Sequence, residues 1–430
     1  MGAGTVSSVL APAPDPVVAR GVMANPLHYE ATDPEVLWSP GNVSEAIPGV
    51  STALNWSFID DAIELAARRA FYAMGVLRRA ELALGERTED RFMVCFFGRT
   101  VANIEAMRSI GDRTPGTSAN AVEEQLFGVV RPDAVNKPTF AYVPSVAARM
   151  PRTAVRLRAE QRRHRATVVN WWRDAVLFEP RGVQEAQALM REAREYYTRS
   201  FELGTLASML SQGLYDQVVA LVEKAGRPGL QHRLITGYSD VLETQLLADL
   251  WELSRERVDL PSFLLRHGFH GPDEGQMASR VWRDDPLPLL SQARRYADLG
   301  PDAHPKVALE RQAAVRVAAE AELLSSLGRL RAPGARLVLS LARLMIPQRE
   351  VGKANYTQCL DAARIAARVI GRKLASNGVL DAPDDVFGLT YGELTADTLP
   401  PDCRALAAER HAIREDYLTT GLRDKWTGPP

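Results

Sequence analysis

The chain has 430 residues with a formal net charge of -1. That near-neutral balance excludes a global electrostatic pull toward nucleic acid or an anionic membrane, and no apolar run approaches the roughly 20 residues that span a bilayer. Cys95, Cys359 and Cys403 lie far apart without CxxC spacing, which argues against a metal cage or a disulfide framework and for three unpaired thiols in a reducing cytoplasm.

Residues 1–30 hold Ala, Pro, Val and Gly without a basic stretch followed by an apolar one, so they read as a flexible leader rather than a signal peptide. An N-terminal subdomain of loops over 31–146 follows. Within it, Asp60 to Leu84 carries apolar residues at helical spacing, with Asp60 and Asp61 supplying acids for the positive helix end. Arg91 to Val101 is richer in Phe and Val and is punctuated by Gly98, which suggests a short β-hairpin near 91–103. From Ala148 onward the periodicity predicts helices at about 150–178, 183–212, 214–225, 236–256, 287–298, 306–330, 333–346, 349–376 and 403–420. Breaks are expected at Pro and Gly clusters such as Ala332-Pro333-Gly334. The fold class is therefore mainly α: a large irregular helical domain over 147–400 with a C-terminal helix and tail over 401–430. No fixed-period repeat marks a solenoid. The basic stretch Arg152 to Arg165 reads as a solvated helix face or a surface for an acidic partner, and Trp171-Trp172 as core or interface aromatics.

The most chemically loaded stretch runs from His267 to Gly275 and on through Arg280-Val281-Trp282-Arg283-Asp284-Asp285-Pro286. It concentrates two histidines, acids, arginines and a tryptophan around three glycines, and loops on a rigid scaffold are where function concentrates. His270 and Glu274 are candidates for acid–base work, because an imidazole and a nearby carboxylate can share a proton with a hydroxyl. Equally, Glu274 could brace the turn while Arg280 and Asp284 tie adjacent helices. His267 is the only other close ligand for a metal, too few for a site. Arg349 and Lys353 sit four apart on one helical face just after Pro347, a pattern suited to a helix start that favours an anion, or simply to pairing with acids on a neighbour. Asn42 and Glu45, with Trp38 and Trp56, could bind a ring or sugar, or fix a Pro-rich loop against the core. No GxxxxGK[ST], GxGxxG after a strand, GxSxG or HExxH is present.

Several of these segments, in order, resemble the helical middle domain of phosphoenolpyruvate-synthase-like phosphotransferases, nearest to the rifampicin phosphotransferase branch. They are Trp38 to Gly49 running into Thr52 to Ser57, Gly98-Arg99 with Asn103, Pro115 to Ser118 with Glu123 to Gly128, the His267–Pro286 stretch, Ile346 to Lys353, and Asp384 to Thr390 with Glu393-Leu394. The resemblance spans roughly residues 35–395. It departs at one point: where many relatives read Gly-His-Arg-Gly, this chain reads Gly268-Phe269-His270-Gly271.

The resemblance implies an acceptor-binding part of an ATP-dependent phosphotransferase that works through a phosphohistidine relay. His270, Glu274, Arg349 and Lys353 would then be catalytic, and Trp38, Asn42, Glu45, Trp56, Arg99, Arg280 and Trp282 would bind substrate. The family's ATP-grasp-like domain and its swivelling histidine domain are not visible in the sequence. Separate partner proteins are therefore expected to carry them, with ATP and Mg2+ on a partner and no cofactor on this chain. The acceptor would be a hydroxyl-bearing small molecule, apolar or aromatic, and no nucleic acid or membrane is expected as a partner. The rival expectation is a non-catalytic small-molecule-binding or scaffold protein derived from that domain.

Overall fold

The computed structural model describes residues 25–430 except Asn42, Val129 and residues 239–241, and the side chains of Glu45, Ala46 and Gln125 also lie outside the description. In chain order its strands and helices are β1 (Leu37–Ser39), α1 (Val43–Ala46), α2 (Ala53–Met74), β2 (Met93–Phe96), β3 (Arg99–Asn103), α3 (Ile104–Arg113), α4 (Ala119–Phe127), α5 (Val143–Leu177), α6 (Val183–Lys224), α7 (Leu230–Leu234), α8 (Leu242–Ser254), α9 (Leu260–His267), α10 (Leu287–Ala297), α11 (Pro305–Met345), α12 (Gln348–Ser376), α13 (Tyr391–Thr395), α14 (Cys403–Thr419) and β4 (Trp426–Thr427). The fold is mainly α, and no helix among the described residues is long and apolar enough to cross a membrane. All three cysteines are buried and free.

The expected hairpin is β2–β3. Its register pairs Phe96 with Arg99, which leaves Phe97 and Gly98 as a two-residue turn with φ of 47° and 71°. Positive φ at both central positions is what the tight hairpin turn requires. The hairpin is extended into a four-stranded antiparallel sheet of order β2-β3-β1-β4. Here Trp38 pairs with Asn103 on one side and Trp426 on the other, which draws the C-terminal segment against the N-terminal one.

Helix positions depart from the sequence expectations in several places. α2 begins at Ala53, capped by the Thr52 side chain, and not at Asp60. Asp60 and Asp61 lie within α2, where both accept from the buried Arg91 at 2.8 and 2.9 Å. They tie helix to sheet and do not complement a helix end. α6 is continuous through Gly213, so packing overrides the modest cost of one mid-helix glycine. In α11 the backbone breaks at Gly328, with φ 72° and ψ 170°, and Pro333 lies inside the helix. Glycine alone takes that conformation cheaply, and a proline one turn later forfeits a single hydrogen bond near the head of the second segment. Helix α9 had no counterpart in the sequence pattern, while α8 is shorter than the predicted 236–256.

α12 is the central element. Its inner face is buried along nearly its whole length, from Gly352 to Leu374, and it packs on α6 where two glycines meet. A Cβ on Gly352 would stand 2.6 Å from the Gly204 Cα, so the close crossing requires glycine there. Lys353 is the next residue along, which makes this crossing the local reason for its position.

Candidate functional site

The His267–Pro286 stretch folds as a loop closed on itself. The Trp282 amide donates to the His270 carbonyl at 2.8 Å and the Arg283 amide to the Gly268 carbonyl at 3.1 Å, so residues 268–270 run alongside 281–283. Gly268 and Gly271 permit this. A Cβ on Gly268 would meet the Leu264 carbonyl oxygen at 2.4 Å, and one on Gly271 the Arg280 oxygen at 2.9 Å. The tip is pinned to the N-terminal segment. Gln276 Nε2 donates to the Pro48 carbonyl at 2.7 Å, and the Met277 amide donates to Asn55 Oδ1 at 3.0 Å.

Beneath the loop lies a buried charge knot. Asp361, fully inaccessible, accepts from Arg283 Nη1 and Trp172 Nε1, both at 2.7 Å, and from Arg364 Nη1 at 2.7 Å. Arg364 in turn donates through Nε to the Met277 carbonyl and through Nη2 to the Gln276 carbonyl, each at 3.0 Å. Burial would push the Asp361 carboxyl up, but the charges of Arg283 and Arg364 and the hydrogen bonds hold it below its ordinary value. α5, α12 and the loop therefore share one satisfied charge centre, which fixes the loop relative to α12.

Above the knot is a cavity of about 250 Å³ between the loop, α8, α12 and α5. Its walls include His267, His270 and Glu274 from the loop side, Lys353 and Glu350 from α12, and Arg165 from α5. His270 Nδ1 is 2.7 Å from Glu274 Oε2, and Lys353 Nζ is 3.8 Å from Glu274 Oε1. Burial pushes the Glu274 carboxyl up, yet the hydrogen bond and charge of His270, with Lys353 and Arg364, outweigh it and hold the group below its usual value. Glu274 is thus a carboxylate at neutral pH and must be the acceptor, so Nδ1 carries a proton and the pair fixes the tautomer of the neutral imidazole. Behind this pair the Phe269 and Trp282 rings flank the imidazole at 4.1 and 5.5 Å between centroids.

A second histidine–carboxylate pair stands beside the first. His267 Nε2 is 2.7 Å from Asp249 Oδ2, which also takes Arg266 at 3.0 Å. Burial, overriding the attraction of Asp249, lowers the His267 pKa. Among the described residues no group of three or more His, Cys, Asp or Glu is placed to hold a metal ion. Besides Glu243 and Arg266, the remaining charged wall residue is Arg165. Burial lowers its pKa, but a guanidinium stays protonated, and it bonds only to Asn355 Oδ1 at 3.3 Å, with no carboxylate partner among the described residues.

Of the residues singled out from the sequence, His270, Glu274 and Lys353 therefore meet in one cavity, with Trp282 behind. Arg349 is exposed one turn earlier on α12 and does not line the cavity. Arg280 is exposed, and it is Arg283, not Arg280, that ties the loop to α12, while Asp284 is held by Arg368 at 2.6 Å. Arg99 donates to the Phe97 and Tyr417 carbonyls at 3.2 and 3.0 Å. Trp38 and Trp56 are buried in the core, edge-on to Phe96 and Tyr29 respectively. Asn42 and the Glu45 side chain lie outside the described residues, as do residues 1–24 of the expected leader. The sequence reading missed Arg165, Asp249 and the Asp361 knot. An Asp and an Arg three apart within the apolar run Cys359 to Ala367 is the signal that could have found the last.

The scaffold is mainly helical, and it brings a histidine–carboxylate pair together with Lys353 and Arg165 on one cavity. Residues 256–350, which carry this loop and reach the start of α12, match the family model of the rifampicin phosphotransferase fourth domain. This part of the chain is thus a helical domain similar to that of the rifampicin phosphotransferases, within the PEP-utilizing group. The chain is also 27% identical, over 227 residues, to uncharacterized proteins of Mycobacterium bovis and Mycobacterium tuberculosis, an alignment covering 50% of this chain and 24% of theirs. The match therefore spans about a quarter of the length of these curated relatives.

Proposed function

We propose that the cavity beside His270 binds the hydroxyl-bearing acceptor of an ATP-dependent phosphotransferase that works through a phosphohistidine relay, with the nucleotide and phosphohistidine domains on partner chains. The observation that carries this reading is the convergence of His270, Glu274, Lys353 and Arg165 on one cavity. Phosphoryl transfer is catalysed mostly by positioning and charge neutralisation. Lys353 and Arg165 supply the neutralising charge. In the step itself the acceptor oxygen forms a bond to phosphorus as the donor's phosphorus–nitrogen bond breaks. The hydroxyl proton passes to His270 Nε2, with Glu274 holding the imidazolium. Phe269, Leu242 and Leu246 give part of the wall an apolar character, which suits an apolar or aromatic acceptor anchored by few polar groups. ATP and Mg2+ would reside on the partner, and the setting would be the cytoplasm.

A non-catalytic binding role is the second reading. It is favoured by one observation: Arg349, a charge the relay chemistry would use, stands outside the cavity. The test is to recover the tagged chain from its native extract and assay ATP- and Mg2+-dependent phosphorylation of small hydroxylated molecules by whatever co-purifies. Partner-dependent transfer that drops on the order of 10²–10⁴-fold in His270→Ala supports the relay reading, since that is the usual worth of a general base. Recovery of the chain without partners, together with saturable binding of an aromatic alcohol, selects the binding role.

A further inference from the structure

A second concavity, sharing no lining residue with the acceptor cavity, opens at the head of α12. It holds about 150 Å³ and is walled by Arg158 of α5, Tyr238, Arg316, Arg343 and Leu344 of α11, and Pro347 and Gln348 at the first turn of α12. No carboxylate is among these residues. Arg316 is only 8% exposed. Its Nη1 pairs with Glu320 at 2.7 Å, which accounts for one of its donors, and its guanidinium lies 5.5 Å from the Tyr238 ring centroid. Its Nε is buried and has no hydrogen-bond partner among the described residues. A buried charged donor left unpaired is costly, so a built wall of this kind points to a missing acceptor. Arg343, exposed and on the segment of α11 beyond the Gly328 break, lines the same wall. The 29-residue helix α12 begins at Gln348, and its Arg349 amide donates to the Ile346 carbonyl at 3.4 Å, so the positive end of its dipole lies at the same place.

We propose that this pocket is a second anion site, taking a phosphate dianion, free or as the end of a phosphate monoester. Guanidinium groups suit that ligand because their planar donor forks match phosphate oxygens and stay charged at all relevant pH values. The site rests on Arg316, Arg343 and the α12 terminus, and does not depend on the acceptor reading of the other cavity.

The experiment is calorimetric titration of the full chain with inorganic phosphate and, separately, with glycerol phosphate, at constant ionic strength against chloride. Saturable one-to-one binding is expected, weakened about tenfold or more by Arg343→Gln, the usual weight of one lost charge-assisted contact. Lys353→Gln, in the other cavity, should leave it unchanged. Arg343 is exposed, so its loss does not endanger folding. Arg316→Gln is a second variant, expected to abolish binding if it folds. Tighter binding of the monoester identifies the ligand as a phosphorylated metabolite, and tighter binding of the free ion identifies phosphate itself. Absence of saturable binding by both ligands overturns the proposal. So does binding that survives Arg343→Gln but is lost in Lys353→Gln, because the phosphate would then sit in the acceptor cavity.

Discussion

Two charge clusters on α12, eight residues apart, are built in opposite ways. Around Asp361 the hydrogen bonds are closed: one inaccessible carboxylate accepts from two arginines and an indole N–H, and the other donors of Arg364 go to loop carbonyls. Around Lys353 the pairing is loose. Its nearest carboxylate is 3.8 Å away, its side chain is 54% exposed, and Arg165 across the cavity has no carboxylate partner among the described residues. The same residue types thus serve two ends. Where the pairing is complete and dry, the cluster holds the loop in place. Where it is incomplete and open, charge is left over for something that is not part of the chain.

The sharpest way to break this comparison is to remove Asp361. Asp361→Ala leaves Arg283 and Arg364 buried without their carboxylate, and breaking a buried pair on one side costs about 3–5 kcal/mol. Urea unfolding should show a loss of that size. A loss below about 1 kcal/mol would mean that water reaches the knot and that the loop is held by its other contacts.

Acid provides the next test. Burial, helped by the Arg199 charge, brings the His164 pKa down to about 4. A histidine whose folded pKa is depressed contributes stability that is fully present above its ordinary value near 6.5 and is lost as pH falls toward about 4. The contribution is on the order of 3 kcal/mol, from the free-energy equivalent of the shift. His267 is depressed in the same direction, and Glu274 adds a further loss at lower pH, since its folded pKa lies below its usual value. Stability measured by denaturant titration should therefore fall between pH 6.5 and 4, and most of that slope should vanish in His164→Gln. A flat profile over that range would show that His164 is solvated in solution.

Much of this organisation was legible in the sequence, for reasons that local physics supplies. The helical periods from Ala148 onward, the hairpin near 91–103 punctuated by Gly98 and the glycine-punctuated His267–Gly275 loop all announce themselves through spacing and steric need. What escaped is what depends on partners distant in sequence. Asp60 and Asp61 looked like helix-end acids because Arg91 could not be placed against them. Trp38 and Trp56 could be read as ring-binding or as fixing a loop against the core, and their neighbours Phe96 and Tyr29 come from other segments. Arg165 disappeared into a basic run that is solvent-facing at most of its other positions. Asp361 sits in a run of small apolar residues where a sequence reader sees only core, and its role becomes visible once Trp172 and Arg283 converge on it. Arg349 and Lys353 share a spacing, yet a small difference in helical direction leaves one outside the cavity and the other within it.

The smallest expected effect on stability is the one that most sharpens the contrast. Lys353→Ala removes an exposed, long ion pair, and such pairs contribute little, so unfolding should change by less than about 1 kcal/mol. The same substitution should weaken an anionic or phosphorylated ligand in the acceptor cavity, because it removes one of the cations that line it. Paired measurement of urea midpoint and ligand affinity separates the two meanings of a charge. If Lys353→Ala destabilises the chain as much as Asp361→Ala, both clusters are scaffolding, and the cavity is a by-product of the helix crossing at Gly204 and Gly352. If stability holds while affinity falls, α12 carries two clusters with separate tasks, one dry and closed for position and one open for binding.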